Sequence, residues 1–199
     1  MVMYDVIVVD PPWAYGGANT GGKPGSAEGQ YRTIGNGGRE VNRRTGAGIE
    51  AIACAAPVGD WAAPTSALFL WTTNPKLPFA FGLMEMWGFD YKTTLTWVKT
   101  TRSGAVMGGG LGFYFRGATE HILFGTRGGF AIPAASRVPN VVMAERGRHS
   151  AKPEPFYDLL DSVFPEQRKL DVFARRERQG WDVWGDEIAT TDGEVSEHG

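Results

Sequence analysis

The stretch VMYDVIVVDPPW, residues 2–13, decides the fold. Its apolar, β-branched run is typical of a strand that is buried on both faces of a sheet. Asp10, Pro11, Pro12 and Trp13 therefore emerge at the carboxyl end of a central strand, which is the edge where open α/β sheets bind ligands. Because each proline fixes its φ and lacks an N–H group, the turn is stiff, and we expect its carbonyls to be free to accept hydrogen bonds from a ligand.

This turn suits the exocyclic amine of an adenine base. That amine is a poor nucleophile because its lone pair is delocalised into the ring, and an acceptor on each N–H would draw the nitrogen towards tetrahedral geometry. Asp10 can supply one acceptor and the Pro11 carbonyl the other, while Trp13 offers an apolar face on which the base can stack. The alternative is a structural turn, in which Asp10 caps backbone N–H groups and Trp13 packs in the core.

The composition is that of a globular domain. The 199 residues are enough for one domain with a sizeable core. A single cysteine, Cys54, excludes a disulfide framework and a thiolate metal cluster, and we expect it to pack in a short helix. We find no signal peptide and no transmembrane run, which predicts a cytoplasmic protein with no membrane contact.

Charge is unevenly distributed along the chain. The segment 92–152 contains nine Lys and Arg against two acidic residues, whereas 182–197 contains six acidic residues and no Lys or Arg. A polyanion could therefore bind the first segment and avoid the second. We expect residues 189–199 to form a disordered acidic tail.

A polar, Gly-rich loop is predicted at 15–48, and it is too long for an ordinary connection between elements. Tyr31 and Arg32 in this loop could stack on a nucleic acid or steer it. We therefore expect the loop to serve substrate binding.

Strands alternate with helices along the remaining chain, which predicts an α/β, doubly wound, mostly parallel sheet. Further strands are expected at 67–72, 91–99, 120–125, 140–145 and 169–173, and helices at 48–56, 76–87 and 153–163. The second helix should bury the stripe Leu77, Ala80, Phe81, Met84 and Trp87 and end at Gly88. Lys99, near the end of its strand, should face the same edge as Asp10 if the two strands are parallel.

Several segments share the order and spacing of a known family. They are LFLWTTNP (68–75), WGF (87–89), WVKT (97–100), EHILFGTRG (120–128), HSAKPEPFY (149–157), LDVFARR (170–176) and GWDVWGDE (180–187). With DPPW as the catalytic motif, residues 4–188 resemble the adenine-N6 methyltransferases. That family includes the catalytic subunit of the eukaryotic messenger-RNA adenosine methyltransferase and small bacterial and phage DNA enzymes. The resemblance implies a Rossmann-like methyltransferase domain over 1–188, with the permuted motif order of the β class.

The resemblance also implies S-adenosylmethionine as methyl donor, without a metal. Asp10 and Pro11 would hold the target amine, Pro12 and Trp13 would shape the pocket, and Lys152 would pair with the donor's carboxylate. Further donor contacts would come from His149, Ser150, Asp171, Phe173, Arg175, Asp186 and Glu187. Contacts to the nucleic acid are expected from Tyr31, Arg32, Asn74, Lys99, Arg102 and Arg116.

The substrate is expected to be DNA in a bacterial or phage-infected cell, because the architecture is small, with the adenine flipped out of the duplex. RNA methylation and a non-catalytic nucleic-acid-binding partner subunit stay open as alternatives, and a homodimer is compatible with each. No G-x-G-x-x-G follows the first strand, which argues against a nicotinamide-dependent oxidoreductase. Related cytosine enzymes usually carry serine in place of Asp10, so adenine is favoured.

Overall fold

The computed structural model describes residues 2–13, 48–109, 112, 114–147 and 151–185. The loop predicted at 15–48 lies outside the described residues up to position 47, and so does the tail. The same is true of six candidate site residues: Tyr31, Arg32, His149, Ser150, Asp186 and Glu187.

Seven strands form one sheet. They are β1 (Tyr4–Val9), β2 (Ala62–Thr72), β3 (Asp90–Thr100), β4 (Thr119–Arg127), β5 (Val141–Glu145), β6 (Lys169–Val172) and β7 (Trp181–Trp184). Their order across the sheet is β5-β3-β4-β2-β1-β6-β7. Neighbouring strands pair in parallel, except that β4 is antiparallel to both β2 and β3. The predicted doubly wound, mostly parallel α/β fold is confirmed.

Helices cover both faces of this sheet. They are α1 (Ile49–Ala55), α2 (Val58–Trp61), α3 (Leu77–Met86) and α4 (Glu154–Val163), with short 3-10 turns at Asn74–Lys76 and Ala134–Ser136. Helices α1 and α3 share one core cluster with Ile7 and Val9, whereas α4 shares the other with Val6 and Val8. Since alternate residues from 6 to 9 enter opposite clusters, this part of β1 must be apolar at every position. None of the helices in the described ranges is long and apolar enough to cross a membrane.

Strand β1 lies where the strand order reverses. The chain leaves β1 towards β2, β4, β3 and β5, and later returns to the other side of β1 as β6 and β7. In doubly wound sheets the crevice at this point binds ligands. Asp10 directly follows β1 and Phe173 directly follows β6, so both border the crevice. Strand β3 is parallel to β1, so Lys99 faces the edge that was predicted for it.

Two packing predictions in the helices are wrong. Phe81 is 41% exposed, and its ring packs 5.0 Å from that of Tyr91, whereas Leu83 is buried. The buried residues of α3 and its end, which are Ala80, Leu83, Met84 and Trp87, follow the i, i+3, i+4, i+7 spacing of one helix face, and Phe81 lies one position off it. Cys54 is exposed rather than packed, because it lies on the side of α1 opposite the buried Ile52.

The turn that ends β4 depends on two consecutive glycines with left-handed backbones. Gly128 has φ 66° and Gly129 has φ 76°. A Cβ on Gly128 would collide with the Pro64 carbonyl oxygen, whereas a Cβ on Gly129 would meet no atom within 4 Å. Replacing either glycine with alanine therefore incurs the same cost of a left-handed backbone, but only the replacement of Gly128 also causes a steric clash.

We predict that Gly128→Ala destabilises the protein more than Gly129→Ala does. The left-handed backbone should cost either variant about 1–2 kcal/mol. The collision with Pro64 should add about 1–3 kcal/mol in Gly128→Ala alone. Urea unfolding of the two variants measures the difference, and equal free energies of unfolding would contradict the close approach.

Candidate active site

Three hydrogen bonds fix the DPPW turn at the end of β1. The Asp10 backbone N–H donates to the Val172 carbonyl at 3.3 Å, which ties the turn to β6. The Trp13 backbone N–H donates to the Pro11 carbonyl at 2.7 Å, and Trp13 Nε1 donates to the Trp71 carbonyl at 3.0 Å. The motif is thus held from both neighbouring strands, β2 and β6.

These bonds correct two expectations about the motif. Trp13 is only 7% exposed and belongs to the core cluster beneath α1 and α3, so its ring is not an open stacking face. A buried indole needs a partner for its N–H, and the Trp71 carbonyl supplies it. The Pro11 carbonyl is not free either, because Trp13 donates to it, although a carbonyl oxygen has a second lone pair for a ligand.

Four charged side chains form a continuous chain from the motif to β3. Lys152 Nζ lies 3.0 Å from Asp10 Oδ1 and 2.8 Å from Glu120 Oε2, and Lys99 Nζ lies 2.6 Å from Glu120 Oε1. The four side chains are 10–19% exposed. Because the signs alternate, each ion shielded from water contacts only opposite charge, which is the condition under which buried ions are tolerated.

The chain of charges shifts the pKa of its members. Burial by itself raises the pKa of Glu120, but Lys152 and Lys99 outweigh it and lower that pKa to about 2. Burial likewise lowers the pKa of Lys152, but Asp10 and Glu120 leave it above its ordinary value. For Asp10, burial raises the pKa, Lys152 opposes the rise and Glu120 adds to it, and the net shift is upward. Glu120 and Lys152 are therefore charged at neutral pH, and Asp10 is the carboxylate with increased proton affinity.

The antiparallel strand β4 is what brings Glu120 into this site. Its first residues lie at the edge where the parallel strands end, and Glu120 pairs in register with Trp97 of β3. Lys152 comes from the segment before α4, and its Nζ lies 4.7 Å from the centre of the Trp71 ring. A ring face beneath the ammonium adds a cation–π contact and keeps water from that side.

A second polar cluster lies beneath the crevice, at β6. The Tyr157 hydroxyl donates to Asp171 Oδ2 at 2.9 Å, and both residues are buried. Burial raises the pKa of Asp171 to about 7, against the lowering effect of the Tyr157 hydrogen bond. Arg178 Cζ lies 3.9 Å from the centre of the Tyr157 ring, and the Arg178 guanidinium pairs with Glu154 at 2.7 Å.

Phe173 has the only positive φ among the non-Gly residues that the structure describes, at 61°. The N–H groups of Phe173 and Ala174 both donate to the Trp184 carbonyl, and the Phe173 ring packs 5.2 Å from the Trp184 ring. Such backbones cost about 1–3 kcal/mol and cluster at functional sites. Arg175, two residues further, lies close enough to Asp10 to oppose in part the rise that burial causes in the pKa of Asp10.

The described residues predicted to contact nucleic acid divide into two groups. Arg102 and Arg116 are exposed on the loop that joins β3 to β4, at the same edge as Asp10. Asn74 is exposed after β2, and its Oδ1 lies 2.7 Å from His121 Nε2. Lys99 differs from these, because it is only 15% exposed and is paired with Glu120.

Glu120, Tyr157 and Arg178 were not predicted as site residues. One feature of the sequence could have indicated Glu120. The strand predicted at 120–125 begins with a charged residue, and the strand that precedes it in sequence ends with Lys99. An antiparallel pairing of those two strands would have joined Glu120 and Lys99. The described residues contain no group of three or more His, Cys, Asp or Glu placed to hold a metal, and a metal-free reaction stays a prediction.

The fold and the position of the motif define a protein of the Rossmann-like methyltransferase class. Within that class, residues 4–187 match the MT-A70 family, and the chain belongs to it.

Named proteins resemble this chain over different shares of their length. The type II methyltransferase M.MunI of Mycoplasma sp. is 33% identical over 98% of this chain and 84% of its own. The N6-methyladenosine RNA methyltransferase MTA1 of Cryphonectria parasitica is 29% identical over 94% of this chain, which spans about half of that protein (52%). The human N(6)-adenosine-methyltransferase catalytic subunit METTL3 is 28% identical over 54% of this chain and 19% of its own length.

We predict that Glu120→Gln destabilises the fold by about 3–5 kcal/mol at neutral pH, because it leaves two shielded ammonium groups with a neutral neighbour. Thermal and urea unfolding measure the change. The cost should shrink as the pH falls from 4.5 towards 2, since the carboxylate contributes its stability above its ordinary pKa and loses it as its folded-state pKa is approached.

Asp90→Asn is the matched control for Glu120→Gln. The Asp90–Lys92 pair is 3.6 Å apart and has exposed side chains. Its loss should change the free energy of unfolding by no more than about 0.5 kcal/mol. Equal costs for the two variants would contradict a structural role for the chain of charges.

We predict that Asp171 makes the protein less stable as the pH rises from 3.8 to about 7. In this window the folded state retains a proton that the unfolded state has released, so the slope of stability against pH is negative and at most about 1.4 kcal/mol per pH unit. Asp171→Asn keeps an acceptor for the Tyr157 hydroxyl and removes the titration. The difference in unfolding free energy between wild type and variant should therefore change across this window and level off above it. A constant difference would contradict the raised pKa.

Proposed function

We propose that this chain methylates N6 of adenine in DNA. Membership of the MT-A70 family makes it an N6-adenine methyltransferase that uses S-adenosylmethionine. DNA is favoured because the relative that aligns along most of both chains is named a type II methyltransferase, a term from the nomenclature of DNA modification. The relatives named for RNA or adenosine methylation are matched over 52% and 19% of their length. The reaction would take place in the cytoplasm of a bacterial cell, where DNA and donor meet.

The proposal for the site depends on one observation. The Asp10 carboxylate lies at the crevice where the strand order reverses, with one oxygen 3.0 Å from the Lys152 ammonium. A carboxylate has about four lone-pair sites on two oxygens, so this bond leaves acceptors for a substrate N–H. A purely structural turn has no need of an acidic residue held at this edge by a buried lysine.

In the proposed reaction, Asp10 accepts a hydrogen bond from the adenine N6 amine, and the Pro11 carbonyl accepts the second through its remaining lone pair. These bonds localise the nitrogen lone pair, which would form the new N–C bond while the bond between the methyl carbon and the donor's sulfur breaks and the sulfur leaves as a neutral thioether. Lys152 and the stiff turn hold Asp10 in place, so the contribution of the chain is chiefly positioning and polarisation. The amine must then lose a proton, and Asp10, whose pKa burial raises, is suited to receive it.

The residues around the crevice fit S-adenosylmethionine, which supplies a methyl group on a positively charged sulfur. Phe173 and Trp184 provide aromatic faces next to the crevice, and such faces attract a sulfonium or stack on an adenine ring. Asp171 beneath them provides a carboxyl group, and Lys152 and Arg175 provide cations for the donor's carboxylate. Lys152 already contacts two carboxylates, and we propose that its main role is to hold Asp10. The donor's carboxylate would then either bind Lys152 in addition to these two groups or replace Glu120 as its partner.

Duplex DNA hides the adenine amine within the base stack, so the proposed substrate must be extruded from the helix to reach Asp10. Arg102 and Arg116, exposed at the same edge, suit contacts to the phosphates on either side of the extruded nucleotide. RNA would meet the same chemical requirements at Asp10, so DNA and RNA have to be compared as substrates.

We predict that Asp10→Asn lowers kcat by at least about a hundredfold, because it removes the charge that polarises the amine in the transition state. Donor affinity, measured by calorimetry with S-adenosylmethionine, should stay within a few-fold of wild type. Methyl transfer is measured with labelled donor on DNA and RNA pools, single- and double-stranded, followed by digestion to nucleosides and mass spectrometry.

Asp5→Asn is the control for this prediction. Asp5 is in the same strand at the opposite end, where its carboxylate accepts from the Arg168 N–H at 3.0 Å. This variant should keep the wild-type kcat. N6-methyladenine formation by Asp10→Asn at the wild-type rate would remove the catalytic assignment, and methylation of RNA pools alone would replace DNA as the substrate.

A further inference from the structure

Two aromatic side chains stand almost entirely in solvent. Tyr114 is 95% exposed and Phe115 is 90% exposed, and they are the most exposed of the large hydrophobic side chains in the described residues. The next, Met143, is 59% exposed. Aromatic rings bury large areas when they pack, so two adjacent rings left in water are a candidate contact surface.

The backbone around these rings is a tight turn rather than an arbitrary loop conformation. A Cβ on Gly112 would collide with the Phe115 carbonyl oxygen, so the turn requires glycine at this position. The Arg116 guanidinium closes the same turn by donating to the Gly112 carbonyl at 3.4 Å. The two exposed rings therefore project from a turn whose backbone is constrained at Gly112 and Arg116.

The turn lies close to the proposed catalytic group. It belongs to the connection between β3 and β4, whose two ends meet where the Lys99 N–H donates to the Ala118 carbonyl at 2.8 Å. Phe115 precedes Glu120 by five positions, so the two Cα atoms are at most about 18 Å apart. Glu120 in turn contacts Lys152, which contacts Asp10. A nucleic acid with its target base at Asp10 would therefore pass within a few nucleotides of both rings.

The surrounding charge suits a polyanion. Arg102 and Arg116 are exposed on the same connection, and its residues, 101–118, include no Asp or Glu. Exposed aromatic rings interleaved with arginine are the pattern by which proteins hold unstacked nucleic acid, since every base has a face on which a ring can stack. An apolar protein partner would not require the arginines.

We propose that Tyr114 and Phe115 stack on the bases next to the target adenine and so stabilise the nucleic acid once that adenine has left the helix. The inference rests on the proposed function, and it names the part of the surface that contacts the flanking nucleotides. Extrusion of a base leaves its neighbours without a stacking partner, and a ring from the protein can replace the lost contact.

The test uses the full chain and a fluorescent duplex DNA pool of randomised sequence. Tyr114→Ala/Phe115→Ala should raise the Kd for the pool, measured by anisotropy, and the KM for methylation by about fivefold or more for each ring removed. Donor affinity by calorimetry should not change. Tyr114→Phe/Phe115→Tyr keeps both rings and should keep the wild-type Kd and KM.

Tyr91→Ala is the matched control, because Tyr91 is 45% exposed at the opposite end of β3, far from Asp10. It should leave both constants unchanged. Wild-type Kd and KM in the double alanine variant would overturn the inference. So would a change in its sedimentation with no change in DNA affinity, which would assign the rings to an interface between copies of the chain.

The proposed function can fail separately from this inference. If the wild-type chain binds the donor but methylates neither DNA nor RNA pools, the proposed function is wrong. A loss of DNA affinity in the double alanine variant would still support a nucleic-acid contact at Tyr114 and Phe115.

Discussion

The ammonium of Lys152, held between the carboxylates of Asp10 and Glu120, is the constraint on which the rest of the site depends. The three groups come from the end of β1, the start of β4 and the segment before α4, which are far apart in sequence. None of these ions would be tolerated alone in a region with so little water, so each fixes the position of the others. The site is therefore complete only when the sheet is correctly assembled. A change that displaces β4 would remove Glu120 from Lys152 and so weaken the hold on Asp10.

Much of the fold could be predicted because its signals are local. The run 6–9 is apolar at consecutive positions, as a strand between two helical layers must be, and the structure places its strand, β1, inside the sheet between β2 and β6. The rule that ligands bind where parallel strands end then located Asp10 and Lys99 at one edge. The DPPW motif indicated an adenine amine through its chemistry, and the family match agrees with that substrate.

The remainder depends on contacts that the sequence does not encode locally. Trp13 lies in the core because the Trp71 carbonyl, 58 positions away, is available to its N–H. Glu120 enters the site because β4 runs against its neighbours, and a short apolar strand has the same pattern in either direction. Phe81 was assigned to the core of α3 although its position is one step off the buried stripe, since the exact face of a short helix is set by what packs on it. The sequence analysis predicted roles that follow from the type of a residue. It did not predict roles that depend on which distant residues or strands come into contact.

The alternation of sign along Asp10, Lys152, Glu120 and Lys99 has a consequence for encounters at long range. Two positive and two negative ions in a row sum to no net charge, so their field decays within a short distance, and this part of the site neither attracts nor repels an approaching phosphate backbone. Exposed guanidinium groups at the same edge, such as those of Arg102 and Arg116, would supply the attraction. Ionic strength should therefore govern how often substrate arrives, while the chemical step at Asp10, shielded from mobile ions, should be largely insensitive to it.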